Sequence, residues 1–345
     1  MLMPKERMTR VSQGLRPDRV PFVPVVYEHA AKLIGTVPSV LARNLDLMVE
    51  GQLASYRLYG MDIVSVGVDI YNVEAEALGS KIQYFDSKDP SVPAVVSYVL
   101  GEDKDKLVDL KIPDPFRDGR MPIFLEACQR IIREVGDEVQ VNATIVGPFS
   151  LAAILRGFEN FIMDMLTDPT YAREVMDFTT RVGLAYGSAF AKIGAGLSIN
   201  ESWVAPPLLS PQLFHNFPFA YEKDLVAKLK KAGFKSVGLI SGGNTWPIAP
   251  YLIQTGTSIL MADANTDQAA YKKLAQEAGI ILRASIDPKL LCVGSYQEIK
   301  EATLKVLNTC APGGRFILGC GVVPYEANPE NILTLKKVAL TFQDF

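Results

Sequence analysis

Histidine and tryptophan are scarce in this chain of 345 residues, with two of each, and its four cysteines (128, 292, 310 and 320) stand far apart with no Cys-x-x-Cys pair. Widely spaced thiols argue against a disulfide framework and suit a reduced, cytoplasmic setting. Long apolar runs are missing as well. None approaches the ~18 residues that a bilayer-spanning helix requires. The start, Met1-Leu2-Met3-Pro4-Lys5-Glu6-Arg7, lacks the apolar stretch of a secretion signal. A net charge of −3 leaves no basic footprint, so neither nucleic acid nor an anionic membrane is expected as a partner. No linker, low-complexity segment or block of like charge interrupts the chain, and one domain over residues 1–345 is predicted.

What is present is apolar and periodic. Hydrophobic residues make up 48% of the chain, enough for a large core. Short β-branched runs recur at 20–26, 63–68, 139–146, 196–201, 236–241, 258–262, 281–286 and 315–319, separated by longer amphipathic stretches. Eight such runs with helical crossovers predict an α/β fold, a (β/α)8 TIM barrel. The prolines in the first run weaken its strand assignment without removing it. Ser210-Pro211, Asp168-Pro169 and Asn328-Pro329 each read as an N-cap followed by proline at the first helical position. Leu213, Phe217, Tyr221, Leu225 and Leu229 then recur every four residues, which predicts one helix over 210–232 with His215 beside its apolar stripe. Residues 81–86 and 95–100, joined through Ser87-Lys88-Asp89-Pro90, predict a small β-hairpin insertion outside the barrel.

If the eight runs close a barrel, their C-terminal ends converge on one mouth. There the chain places Tyr27, Glu28 and His29, then Asp69, then Asn200, Glu201, Ser202 and Trp203. Ser241-Gly242-Gly243-Asn244, Asp263, Ser285, Asp287 and Cys320 follow. Polar groups at nearly every strand end suit an enzyme and not a packing core. Cys320 lies between Gly319 and Gly321, which leave room for a ligand, although an isolated cysteine is more often an inert buried side chain. Asp69 follows Val66-Gly67-Val68, where a charge is costly unless it faces the mouth. Asp287-Pro288 and Asp263 can serve as helix caps, and His29 can be a hydrogen-bonded structural group. Ser241-Gly242-Gly243-Asn244 lacks the strand–GxGxxG–helix setting of a dinucleotide site.

These segments resemble the uroporphyrinogen decarboxylase superfamily. The resemblance runs through Gly67-Val68-Asp69-Ile70 to Ala77-Leu78-Gly79, and through Val146-Gly147-Pro148-Phe149-Ser150-Leu151. It continues in Asn200-Glu201-Ser202-Trp203 with Leu209-Ser210-Pro211, in Ser285-Ile286-Asp287-Pro288-Lys289-Leu290 and in Gly319-Cys320-Gly321-Val322-Val323-Pro324. The resemblance implies a (β/α)8 barrel and one of two chemistries: decarboxylation of uroporphyrinogen, or methyl transfer involving a corrinoid. Against the first, Pro24-Val25-Val26-Tyr27-Glu28-His29 has no arginine pair for an octa-anionic tetrapyrrole. Ile154 stands where that branch has tyrosine and Cys320 where it has histidine. Against the zinc-dependent form of the second, Ile240 and Gly242 occupy the positions of two metal ligands and offer no donor atom.

The resemblance therefore implies a corrinoid-dependent methyltransferase that works with a corrinoid protein or free cobamide and a small-molecule substrate, without the zinc-thiolate site. A decarboxylase of a porphyrinogen-like or smaller carboxylated substrate is the alternative, and a silent barrel that carries a corrinoid or tetrapyrrole is a third. Asp69, Glu201 and Cys320 are the expected catalytic residues; Tyr27, His29, Ser202, Asn244 and Asp263 are expected to bind substrate. Whether any residues hold a metal is left open, as is a homodimer.

Overall fold

Short aliphatic runs with β-branched residues satisfy their backbones only by pairing, and nine such runs do so. In the computed structural model, which describes every residue except Ser87, they are β1 (Ile63–Ser65), β2 (Lys81–Gln83), β3 (Ala94–Ser97), β4 (Gln140–Val146), β5 (Gly196–Asn200), β6 (Gly238–Ile240), β7 (Ile259–Ala262), β8 (Ile281–Ser285) and β9 (Phe316–Gly319). β1, β4, β5 and β6 form one parallel sheet in that order, and β7, β8 and β9 a second. Ile145 lies opposite Ile199, and Ala284 opposite Leu318. Between the sheets, the Ser258 amide donates to the Val237 carbonyl at 2.9 Å. Helices cross from strand to strand, as parallel pairing demands. The architecture is the α/β barrel that the eight runs predict.

The first run differs from its expected form. Residues 20–26 make no regular strand, because Pro21 and Pro24 have no N–H to donate to a ladder. Phe22 and Val25 make isolated parallel bridges to Leu318 and Val322. On the other side, the Asp62 amide donates to the Phe22 carbonyl at 2.9 Å. The segment sits between β9 and the entry to β1, but the hydrogen-bonded ladder is not continuous there. Ion pairs take over part of the join. The Asp62 carboxylate accepts from the Phe22 amide (2.7 Å), from Arg7 Nη1 (2.5 Å) and from Arg19 Nη1 (2.7 Å). All three charged groups are buried.

The hairpin is present: β2 and β3 pair antiparallel, with Ile82 opposite Val95. Ser87, in the connection, lies outside the described residues. The three Pro-led helices start where expected. Ser210 Oγ accepts from the Leu213 amide, Asp168 Oδ1 from that of Tyr171, and Asn328 Oδ1 from that of Glu330. The single helix expected over 210–232 is instead two, Pro211–Asn216 and Pro218–Lys231. Pro218 cannot continue the first and starts the second. His215 is exposed and stacks on Phe219, ring centroids 5.9 Å apart. Among the described residues no helix is long and apolar enough to cross a membrane.

Candidate active site at the strand ends

Five groups meet near the lumen end of the barrel. Tyr27 is buried, its hydroxyl 3.3 Å from Thr144 Oγ1. Asn200, the last residue of β5, stands beside Tyr27 with its Nδ2 buried and without a hydrogen-bond partner. Ser202 Oγ accepts from the Gly242 amide (3.2 Å), and Asp263 Oδ2 from the Gly243 amide (2.6 Å). The loop after β6 is thus pinned from both sides by two of the expected substrate-binding residues. Burial raises the Asp263 carboxyl above its ordinary range, against the pull of the Gly243 amide and of Arg283.

Arg283 is the fifth group, and the residue reading missed it. It lies on β8, buried, and donates through Nη2 to the Val23 carbonyl at 3.1 Å. Its Nε is buried and has no partner. Gly319 makes room for it: a Cβ there would meet Arg283 Nε at 2.7 Å and Ser285 Oγ at 2.8 Å. A guanidinium inside Ile281-Leu282-Arg283-Ala284-Ser285 was the available signal, since a charge in an apolar strand has to be answered by something.

The other expected residues are engaged elsewhere. Asp69 forms a bidentate pair with Arg120 (2.8 and 2.7 Å) and also accepts from Asn72 Nδ2 (3.2 Å). Arg120 also donates to Glu76 at 2.5 Å. Burial pushes the Asp69 carboxyl up, while Arg120 and Asn72 pull it down. Glu201 is fully buried against the start of helix Pro148–Arg156. Its carboxylate accepts from the Ser150 amide (2.7 Å), the Ser150 hydroxyl (2.5 Å) and the Phe149 amide (3.1 Å). Gly147 has to be glycine here, because a Cβ would collide with that carboxylate. Burial holds the Glu201 carboxyl up at about 7 despite these donors. Glu222, also fully buried, has neither oxygen partnered, and burial together with the nearby Glu201 raises it further.

His29 faces away from the lumen. Its Nδ1 lies 3.1 and 3.2 Å from the carbonyls of Pro324 and Tyr325, which places the proton on Nδ1, and its Nε2 accepts from the Tyr59 hydroxyl at 2.8 Å. Cys320 is fully buried, close enough to Tyr59 and Arg283 for their charges to act on one another, and burial pushes its thiol up to about 12. Asn244 sits on the exposed loop, where its Oδ1 accepts from the Trp246 amide. Asp287 caps the helix that follows, accepting from the Lys289 amide at 2.9 Å.

A model of uroporphyrinogen decarboxylase (URO-D) matches residues 3–341. The chain belongs to the URO-D family. Within it, the chain is 26% identical over 327 residues to the methylcobamide:CoM methyltransferase MtbA of Methanosarcina acetivorans, covering 93% of each. It is 25% identical over 293 residues to the uroporphyrinogen decarboxylase of Aquifex aeolicus, covering 82% of this chain and 80% of that protein. A methyltransferase structure from Methanosarcina mazei superposes with a TM-score of 0.87 at 22% identity, over 98% of both chains, which shows a shared fold. At two positions where the resemblance implies zinc ligands, Ile240 and Gly242 carry no donor atom, and both His29 nitrogens are already hydrogen-bonded.

Proposed function

We propose that this URO-D family protein transfers a methyl group between a corrinoid, free or carried on a partner protein, and a small-molecule acceptor or donor. The observation that carries this reading is the likeness to a methylcobamide:CoM methyltransferase over 93% of both chains. Three large apolar side chains, Leu208, Trp246 and Val322, stand exposed on the loops that follow β5, β6 and β9, a rim suited to receiving an apolar macrocycle or its carrier.

The corrinoid supplies or receives the methyl group; the chain positions the second substrate and handles its proton. Asp263 suits that proton role better than Asp69 or Glu201, whose oxygens are already held by Arg120 and by helix amides. A carboxyl raised by burial takes a proton from a reacting group near neutral pH more readily than an ordinary one. Ser202 and Asp263 hold Gly242 and Gly243 in place, so the backbone of that loop forms one wall of the site. Tyr27 and Asn200, the last residue of β5 next to β6, line the adjoining wall. Cys320, with its thiol pushed up to about 12, fills space as a neutral group and is no nucleophile at neutral pH. The same reading makes residues 1–345 one domain, so limited proteolysis should leave no pair of stable halves.

The decarboxylase alternative rests on the likeness to the Aquifex protein. It is disfavoured by a shortage of cations: of the buried arginines, Arg7, Arg19, Arg120 and Arg156 are committed to carboxylates of the chain, which leaves Arg283 alone to face a polyanionic tetrapyrrole. Mixing the protein with methylcobalamin and candidate acceptors, and following the absorbance change on demethylation, separates the readings. Demethylation supports methyl transfer. No change with any acceptor, together with CO2 release from a porphyrinogen, establishes the decarboxylase instead. Binding without turnover identifies a carrier.

A further inference from the structure

A buried guanidinium almost always has a carboxylate beside it, because an uncompensated charge in a low-dielectric interior is costly. Four of the five buried arginines of this chain obey that rule. Arg7 pairs with Asp18 and Asp62, Arg19 with Asp62, Arg120 with Asp69 and Glu76, and Arg156 with Asp164. Arg283 does not. Among the described residues no carboxylate lies within 4.0 Å of it, its one bond is to the Val23 carbonyl, and its Nε has no partner. Asp263, the nearby acid, turns its Oδ2 to the Gly243 amide.

The surroundings hold this cation in place. Gly319 lets the guanidinium pack against the backbone of β9, since a Cβ there would stand 2.7 Å from Nε. Arg283 sits two positions before the C-terminal residue of β8, so it lies about 7 Å below the mouth. Asn200 Nδ2, buried and with no well-formed hydrogen bond, turns toward the Tyr27 hydroxyl, and Tyr27 itself lies within electrostatic range of Arg283. An unpaired positive charge and a weakly held amide donor in one lumen call for an acceptor-rich anion.

We propose that Arg283 is the anchor for an oxyanion group (carboxylate, sulfonate or phosphate) on the small-molecule substrate, with Asn200 as the second donor. The group enters the lumen first and takes the guanidinium's free edge, leaving the reacting end of the substrate at the mouth beside Asp263 and Ser202. Specificity then lies in the charged tail: a neutral analogue leaves both donors unpaired and is rejected. The placement rests on the strand ends being the substrate site, but the anion site is measurable without any methyl transfer.

The test titrates the full-length protein with acetate, methanesulfonate and inorganic phosphate, with acetamide as the neutral control, and follows the thermal midpoint. At least one oxyanion should raise the midpoint saturably while acetamide does not, and the anion that works identifies the tail. Arg283→Gln should weaken that binding at least ~30-fold. Should Arg283→Gln fail to fold, Asn200→Asp decides: a carboxylate in the same lumen repels an incoming anion and should abolish the response. Failure of all three anions to bind the unaltered protein overturns the proposal. So does wild-type affinity in a folded Arg283→Gln or Asn200→Asp variant. No corrinoid or methyl acceptor enters this experiment, so a negative result leaves the methyl-transfer reading standing, and a protein inactive in methyl transfer can still pass it.

Discussion

The two halves of the chain treat buried charge in opposite ways. Before residue 170, buried Arg7, Arg19, Asp62, Asp69, Arg120, Arg156 and Asp164 all take part in ion pairs, and only Glu74 relies on a backbone amide, that of Val146. After residue 200, the four buried charged residues have no ion-pair partner among the described residues. Glu201 leans on helix amides, Glu222 on nothing, Lys272 on the Gly314 carbonyl and Arg283 on the Val23 carbonyl. Paired charges fix geometry and are spent in doing so. The unpaired ones are not neutralised by an opposite charge; of the two near the strand ends, Glu201 is held by helix amides and Arg283 remains able to answer a ligand.

The largest effect should come from breaking the densest pair. Asp62→Ala strands Arg19 in the interior, leaves Arg7 with Asp18 alone and removes the acceptor of the Phe22 amide, so it should cost about 3–5 kcal/mol in urea denaturation. A loss below about 1 kcal/mol would mean that the paired half is not held by its pairs. Next is Asp263→Asn, which keeps the shape but removes proton acceptance. Methyl transfer should fall ~100-fold, close to 2.7 kcal/mol, with folding intact. Unchanged turnover would move the proton role elsewhere.

Glu222 tests the unpaired half directly. Glu28, Glu74 and Glu201 have carboxyls raised by burial to about 7, and Glu222 is raised as well. Unfolded, these groups titrate near 4.3. The folded chain therefore keeps protons that the unfolded chain has released, and the stability they contribute is full below about 4.3 and declines as pH rises to about 7. Glu222→Met should raise stability at pH 8 by about 1–3 kcal/mol and flatten that decline. A steeper decline in the variant would show that Glu222 has a partner in solution. The smallest effect belongs to an exposed pair, Asp224 with Lys228 at 2.6 Å. Lys228→Ala should change stability by no more than about 0.5 kcal/mol, less in high salt.

The sequence made the barrel legible because its signals are local. Seven of the eight runs form strands, and the three cap-then-proline signatures start helices where expected. The misses share one cause: backbone groups that proline removes. Pro21 and Pro24 reduce the first strand to two bridges, and Pro218 divides the helix in which the four-residue spacing suggested continuity. The site was legible as a set of strand ends but not as a set of contacts. Nothing near Asp69 announces Arg120, 51 positions away, or near Glu201 the amides of Phe149 and Ser150. Which acids are free and which are occupied is decided by tertiary partners.

The bridge between residues 20–26 and β9 has a consequence for the order in which the molecule can be made. Phe22 and Val25 make their β-bridges with Leu318 and Val322, and His29 is held by carbonyls at 324 and 325. A chain emerging from the ribosome therefore carries one side of this early segment without its partners until residues beyond 318 have been synthesised. Until then the free side of residues 20–26 and the outer edge of β8 are uncovered, and such edges are where a growing chain most needs shelter from its neighbours. The last stretch to appear is the one that seals the first.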